Sequence, residues 1–75
     1  MSLLKGYKME YKLKDEYIEL FKLLKVLDLV DSGAQAKYLV AEGYVNRNGE
    51  QEFRKRAKIV SGDIIEIADA RIEVV

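Results

Sequence analysis

The sequence predicts an α+β fold, in which an N-terminal strand and a helix-turn-helix-like pair of helices pack on a small, mostly antiparallel sheet of short strands. Three observations predict it. Residues 7–14 alternate between apolar or tyrosyl side chains and charged ones, residues 15–42 hold two stretches of helical periodicity, and the rest of the chain holds short strand-like runs separated by turn residues. With 75 residues, the chain has room for a single domain over 1–75, near the lower size limit for a core without crosslinks.

The N-terminal segment YKMEYKLK, residues 7–14, predicts a half-buried strand. Its alternation sends two sets of side chains to opposite faces. The inward set is Tyr7, Met9, Tyr11 and Leu13. The outward set is Lys8, Glu10, Lys12 and Lys14. Because lysines protect an exposed strand from pairing with other chains, the outward set suits a sheet edge.

The next segment, DEYIELFKLLKVLD over residues 15–28, changes to a helical period. The predicted apolar face is Tyr17, Leu20, Phe21, Leu24 and Leu27. The predicted polar face is Glu19, Lys22 and Lys25. Asp15 and Glu16 would lie at the helix start, where the helix dipole favours negative charge.

A second helix is predicted from Ser32 to about Glu42. Ser32 and Gln35 have the spacing of a capping box, and Gly43 stands where a helix would end. Its apolar face is Ala36, Leu39, Val40 and, at the end, Gly43. Because only a few residues separate the two helices, they should meet as a compact pair.

Short strands are predicted after Gly43. The dipeptide Asn48-Gly49 favours a tight hairpin turn, and Ser61–Asp63 marks a second turn. The last segment, IIEIADARIEVV, reads as two strands joined at Asp69-Ala70.

The composition argues against several classes of function. The chain has no cysteine and no histidine, which excludes disulfides and zinc sites built on those residues. It has no nucleotide-binding phosphate loop and no recognisable acid and base pair, so we expect neither catalysis nor a cofactor. No apolar run is long enough to span a membrane, and the start MSLLKG has no apolar signal region, so we expect a cytoplasmic protein.

The charges are unevenly distributed although the net charge is zero. Residues 32–60 carry six basic and three acidic side chains, and residues 61–75 carry one basic and four acidic ones. A basic segment of this kind suits a polyanion, and the acidic end should lie away from it.

The strongest chemical signal is FRKRAKIV, residues 53–60. In an extended segment, Phe53, Ala57 and Ile59 would share one side. Arg54, Arg56 and Lys58 would share the other, where they would meet successive phosphates of a nucleic-acid backbone. Lys55 would point with the apolar set unless a bulge intervenes. A solvated basic strand that serves solubility is the alternative, and the run alone does not decide between them.

The start of the second helix adds to this signal. Gly33 takes the first helical position, where the free N–H groups of the first turn favour an anion. Lys37 would lie on the exposed side, between small residues. If the basic strand packs beside this helix, the three features form one surface, which Arg47 at the hairpin would extend. An ordinary capped helix and a surface lysine are the alternatives.

The segment SGAQAKYLVAEGYVNRNGEQEFRKRAKIVSGDIIEI resembles the S4 domain, also called the α-L motif, an RNA-binding module named for a small-subunit ribosomal protein. It is most similar to short, stand-alone bacterial S4-like proteins, in which SGAQAK, AEG-x-V, NG-x-x-E-x-R-K-R-x-KI and GD recur in that order. The resemblance runs from about Tyr17 to Ile67.

This resemblance implies non-catalytic binding of structured or ribosomal RNA, without a cofactor or small-molecule substrate. It implies that the start of the second helix and the basic hairpin face the RNA. The residues it singles out are Ser32, Gln35, Lys37, Arg54, Lys55, Arg56 and Lys58. The partners it implies are RNA and the ribosome. Two alternatives stay open: a module that keeps the fold and binds a protein partner, and DNA binding by the same face.

Two positions depart from the broader family. S4 domains often have a basic residue directly after the serine, where this chain has Gly33. Many open the first helix with Arg-Leu-Asp, where this chain has Glu19-Leu20-Phe21. Two familiar polar contacts are therefore missing.

Overall fold

The computed structural model describes residues 7–75, and its elements follow the predicted order of a strand, two helices and then short strands, except that one more short strand precedes the first helix. In chain order the elements are β1 (Tyr7–Tyr11), β2 (Ile18–Glu19), α1 (Leu20–Val26), α2 (Gly33–Ala41), β3 (Val45–Arg47), β4 (Glu50–Gln51), β5 (Lys58–Ile59), β6 (Ile64–Ile67) and β7 (Ala70–Val74). The α+β class is confirmed. The expectation drawn from the first six residues, and the predicted direction of the Tyr7 side chain, lie outside what the structure describes.

The main sheet has five strands in the order β1-β7-β6-β3-β4. Only β1 and β7 run parallel, and the other pairs are antiparallel. Of the described strands, β1 forms one edge, as its outward lysines predicted. Met9, Tyr11 and Leu13 pack against the core, whereas the charged residues that alternate with them are exposed. The strands β2 and β5 form a separate two-stranded ladder.

Helix α1 is shorter than predicted and begins only at Leu20. The two residues before it form β2, which pairs with β5 instead of joining the helix. Asp15 and Glu16 therefore lie outside the first helical turn, and Tyr17 is 40% exposed instead of lying in the core. These parts of the prediction were wrong because pairing with a strand some 40 residues away leaves no local signal in the sequence.

Helix α2 begins and ends as predicted. Ser32 is its N-cap, and Ala36 and Val40 are fully buried. Gly43 follows the helix with φ of +84°, a backbone conformation that side chains other than glycine rarely adopt. A Cβ atom at Gly43 would also lie 2.9 Å from the Gln51 side-chain amide nitrogen and 3.0 Å from the Phe53 ring. The backbone conformation is therefore the main reason for glycine at this position, since the ends of these two exposed side chains can move.

The turns confirm most of the predicted hairpins. Asn48 and Gly49 both have positive φ, at 53° and 89°, which is the conformation of a tight two-residue hairpin. Gly62, with φ of 97°, lies in the predicted turn before β6. The last hairpin turns at Ala68 and Asp69, one residue earlier than predicted.

A single hydrophobic core joins both helices to both sheets. The largest fully buried side chains are Leu20, Leu23, Leu24, Val40, Val45, Ile59, Ile65, Ile72 and Val74. Neither helix in the described part of the chain has the length and apolar character that a membrane crossing requires.

We predict that Gly43→Ala lowers the free energy of unfolding by about 1–2 kcal/mol, because alanine must adopt the left-handed backbone conformation and displace Gln51 or Phe53. Urea denaturation measures this loss. Gly33→Ala is the matched control. Its Cβ atom would lie 4.0 Å from the Phe21 ring, an ordinary contact, so its stability should be unchanged or higher by up to about 1 kcal/mol. Equal losses in both variants would contradict this account.

Candidate nucleic-acid interface

The N-terminus of α2 is capped by two side chains predicted to face RNA. The Ser32 hydroxyl oxygen accepts a hydrogen bond of 3.1 Å from the Gln35 backbone N–H. The Gln35 side-chain oxygen accepts one of 2.6 Å from the Asp31 N–H. Both side chains therefore serve the cap, while the N–H groups of Gly33 and Ala34 have no partner within the helix. The exposed carboxylate of Asp31 lies beside this terminus.

Lys37 is half-buried instead of lying open to solvent as predicted. Its ammonium nitrogen is 4.7 Å from the centre of the Phe21 ring, within the range of a cation–π interaction. Phe21 comes from the first turn of α1, so this contact crosses between the helices. Among the described residues, no carboxylate lies within salt-bridge distance of Lys37.

The segment 53–60 is not the continuous strand that the alternation predicted. Lys55 and Arg56 form a turn, and only Lys58 and Ile59 are in strand conformation. Ala57 and Ile59 are buried as expected. The predicted shared face is wrong for Phe53, which is 55% exposed because the turn rotates it away from the core.

Backbone hydrogen bonds hold this turn against α1. The N–H groups of Leu20 and Phe21 donate to the carbonyl oxygens of Ala57 and Lys55, each at 3.0 Å. The N-cap residue of α1, Glu19, makes no side-chain capping bond. Residues 55–58, which we call the basic turn, take over the role of a cap. These bonds therefore hold the start of α1 and the basic turn together.

The basic side chains of this segment differ in their surroundings. Arg54 donates two side-chain hydrogen bonds to the buried Glu52 carboxylate, at 3.0 and 3.2 Å. Arg56 pairs with Glu19 at 3.3 Å. Lys58 is exposed, with its ammonium 5.1 Å from the centre of the Tyr17 ring. Lys55 is exposed and pairs with no carboxylate among the residues described.

Two residues that were not predicted to belong to the basic surface, Phe21 and Lys22, lie at its centre. The Phe21 ring has the cationic groups of Lys22, Lys37 and Arg56 at 6.0, 4.7 and 5.2 Å from its centre. We call these four residues the Phe21 cluster. Helical periodicity placed Phe21 on the core face. No local pattern indicates that α2 and the basic turn bring two more cations to its ring.

Arg47 does not extend the basic surface as predicted. Its guanidinium donates to the Asp63 carboxylate at 2.8 and 3.2 Å and to the Lys58 carbonyl oxygen at 2.8 Å. It also lies 3.7 Å from Glu52. Because its charge is compensated within the protein, Arg47 is a structural residue that ties the hairpin to β5.

The Asp63 carboxylate is the acceptor at the centre of this network. Besides Arg47, it accepts hydrogen bonds from the Asn48 side chain and the Val60 N–H, both at 2.9 Å. The oxygen of the Asn48 side chain in turn accepts from the Ile64 N–H at 2.8 Å. The network joins the β3–β4 hairpin to the turn before β6.

The pKa values of both buried carboxyls are lowered. Burial raises the pKa of Asp63, but the hydrogen bonds from Val60, Asn48 and Arg47 outweigh it. Hydrogen bonding from the Arg54 side chain is the main cause that lowers the pKa of Glu52, against the effect of burial. Both groups therefore stay ionised at neutral pH, as their roles as acceptors require.

The described residues include no cluster of three or more carboxylates that could hold a metal ion. The arrangement is thus one of fixed cations, helix N–H groups and internal ion pairs, which can neutralise an anionic ligand.

Comparison with known proteins identifies similar chains. Residues 11–75 match the S4 domain family. The chain is 45% identical over 62 residues to the putative RNA-binding protein YbcJ of Escherichia coli strain K12, covering 83% of this chain and 89% of that protein. It is 38% identical over 52 residues to the probable ribosome maturation protein RlbA of Bacillus subtilis strain 168, covering 69% and 73%.

Two solved structures share the fold. The solution structure of E. coli YbcJ, described as an αL motif involved in RNA binding, gives a TM-score of 0.69 at 43% identity, covering 88% of this chain and 85% of that chain. The 30S ribosomal protein S4e from Thermoplasma acidophilum gives 0.63 at 27% identity, covering 77% of this chain and 31% of that chain. The predicted S4-like fold is confirmed.

We predict that Asp63→Asn lowers the free energy of unfolding at neutral pH by about 2–4 kcal/mol, because Arg47 loses the nearer of its two carboxylate partners in a half-buried site. The folded pKa of Asp63 lies below the value of about 3.9 expected in the unfolded chain. The ionised carboxylate therefore stabilises the fold above about pH 4, and this contribution is lost as the pH falls through the folded pKa.

The difference in stability between the wild type and Asp63→Asn should accordingly shrink below about pH 4, as denaturant unfolding at several pH values would measure. Asp69→Asn, an exposed change in the last hairpin turn, is the control and should alter stability by less than about 0.5 kcal/mol. A difference that does not change with pH would rule out the Asp63 carboxylate as the stabilising group.

Proposed function

Because the chain belongs to the S4 domain family, we propose that it binds structured RNA without catalysing a reaction, through a basic face. This face consists of the first turn of α2, Lys37 and the basic turn 55–58. The observation that carries the proposal is that the basic turn is hydrogen-bonded to the start of α1 and contributes Arg56 to the same aromatic ring as Lys37. Cations from separate parts of the chain thus converge where an RNA backbone would lie.

The cations of the basic face differ in whether a carboxylate of the protein compensates their charge. Lys37, Lys55 and Lys58 pair with no carboxylate among the described residues, whereas Arg56 pairs with Glu19. The Arg56 side chain is largely exposed, and exposed ion pairs contribute little to stability, so a phosphate can replace Glu19 as its partner at a small cost. We therefore expect the lysines to contribute first to binding, with Arg56 joining when it exchanges Glu19 for phosphate.

Ribosomal RNA is the class of RNA that we propose. A relative with 38% identity is named a probable ribosome maturation protein, and a protein of the ribosomal small subunit shares the fold. The basic face offers backbone contacts and fixed geometry instead of a set of groups that would read bases one by one, which fits recognition of RNA shape. We place this function in the bacterial cytoplasm, where ribosomes assemble.

We predict that the single variants Lys37→Glu and Lys58→Glu each weaken binding to bacterial ribosomal RNA by roughly tenfold or more at moderate salt. Filter binding or fluorescence anisotropy over a range of salt concentrations measures this. If about five cations meet phosphates, log K against log salt should have a slope of roughly −3.5 for the wild type. Lys8→Glu, the same charge change on the exposed face of β1, should change affinity little.

Two outcomes would count against the proposal: affinity that ignores salt, and equal losses from Lys8→Glu and Lys37→Glu. A DNA hairpin matched in sequence to the best RNA hairpin tests the choice of nucleic acid. Equal affinity for the two would favour binding to DNA as well. Recovery of a protein instead of RNA from cells, insensitive to nuclease, would favour the protein-binding alternative.

We also predict that Glu19→Gln strengthens RNA binding by up to about fivefold, because Glu19 pairs with both Lys22 and Arg56 and competes with phosphate for them. The same binding assay measures the gain. Glu10→Gln, an exposed change of the same kind on β1, is the control. A weaker complex with Glu19→Gln would show that the carboxylate assists binding instead of opposing it.

A further inference from the structure

The Phe21 ring is an unusual meeting point for positive charge. Three cationic groups lie 4.7–6.0 Å from its centre, and they come from α1, α2 and the basic turn. The convergence of three on a single ring calls for an explanation beyond core packing.

Such a cluster is electrostatically unfavourable without compensation. Lys22 and Arg56 both contact the same Glu19 carboxylate oxygen, so their charges lie well within the Debye length of about 10 Å at 0.1 M salt and solvent ions do not fully screen their repulsion. Glu19 offsets part of it, since its carboxylate oxygen lies 3.5 Å from Lys22 and 3.3 Å from Arg56. Lys37 has no such carboxylate among the described residues, so the ring is the group that holds its ammonium in place.

The position of the ring connects the cluster to α2. A Cβ atom at Gly33 would lie 4.0 Å from two carbon atoms of the Phe21 ring. The ring therefore lies beside the first turn of α2.

We propose that Phe21 is a positioning residue that holds Lys22, Lys37 and Arg56 in place to bind the phosphates of one stretch of RNA backbone. This inference rests on the proposed function. A side chain ordered before binding loses less conformational freedom when the ligand arrives, which raises affinity without any new contact. The ring needs no direct contact with the RNA.

The cationic groups can contact the Phe21 ring and a phosphate at the same time. A lysine ammonium has three N–H donors, and one side facing a ring leaves donors free for phosphate oxygens. A guanidinium over a ring presents its N–H groups at its edge, where it can bind phosphate in a bidentate way. The cluster thus remains assembled in the complex, and the RNA displaces only Glu19.

The test compares Phe21→Leu, which keeps an apolar side chain but removes the π face, with Phe21→Trp, which keeps a π face. Binding to bacterial ribosomal RNA is measured at low salt so that weak complexes stay measurable. We expect Phe21→Leu to weaken binding about tenfold and Phe21→Trp to retain most of the affinity. Circular dichroism and thermal melting confirm that each variant is folded.

A double-mutant cycle with Lys37→Met separates positioning from stacking on a base. If Phe21 acts through the cations, Phe21→Leu should cost much less in the Lys37→Met background than in the wild type. Independent, multiplicative losses would overturn the proposal and indicate that the ring itself stacks on a base.

Unchanged affinity of Phe21→Leu would also overturn the role of Phe21. The proposed function would still stand in that case, as long as Lys37→Glu weakens binding. Absence of RNA binding by the wild type would instead defeat the proposed function.

Discussion

The arrangement of the basic face depends on the hydrogen bonds that the Asp63 carboxylate accepts. This carboxylate is almost fully buried and accepts hydrogen bonds from Arg47, Asn48 and Val60, which belong to two separate parts of the chain. Arg47 also donates a hydrogen bond to the Lys58 carbonyl oxygen and so fixes the position of β5 relative to this network. In a domain with short strands and no covalent crosslinks, a buried and fully satisfied polar network can fix loops that a small hydrophobic core leaves undefined.

From this network a chain of contacts leads to the surface. The position of β5 fixes the basic turn, whose carbonyl oxygens accept from the N–H groups of Leu20 and Phe21 and so define the start of α1. The start of α1 in turn places Phe21 against α2, where Lys37 and Arg56 meet its ring. The basic face is therefore assembled from contacts distant in sequence, and its geometry follows from the fold instead of from any single motif.

This dependence explains what the sequence alone could predict. Helix α2 was predicted from end to end because its signals are local: Ser32 and Gln35 at the start, Gly43 at the end and a regular apolar face between them. The hairpin at Asn48-Gly49 was likewise predicted from its own dipeptide. Both elements are determined by residues close together in the sequence.

The errors fall where a distant partner decides. The first helix begins later than predicted because residues 18–19 form β2 and pair with β5. The basic run was predicted as a continuous strand, but it turns and caps α1. Arg47 was assigned to the surface because its partner Asp63 lies 16 residues away. Phe21 fits an apolar helix face equally well in the core or beneath three cations, so periodicity could not reveal its surroundings.

The central claim is that RNA meets the face where α2, α1 and the basic turn converge. Titration of ¹⁵N-labelled protein with a bacterial ribosomal RNA fragment, followed by NMR, tests it most directly. The account predicts the largest amide shifts at residues 33–37 and 55–58, with the β1 amides little changed. Shifts centred on β1, or on the apolar groove lined by Leu29, Leu39 and Tyr44, would contradict it.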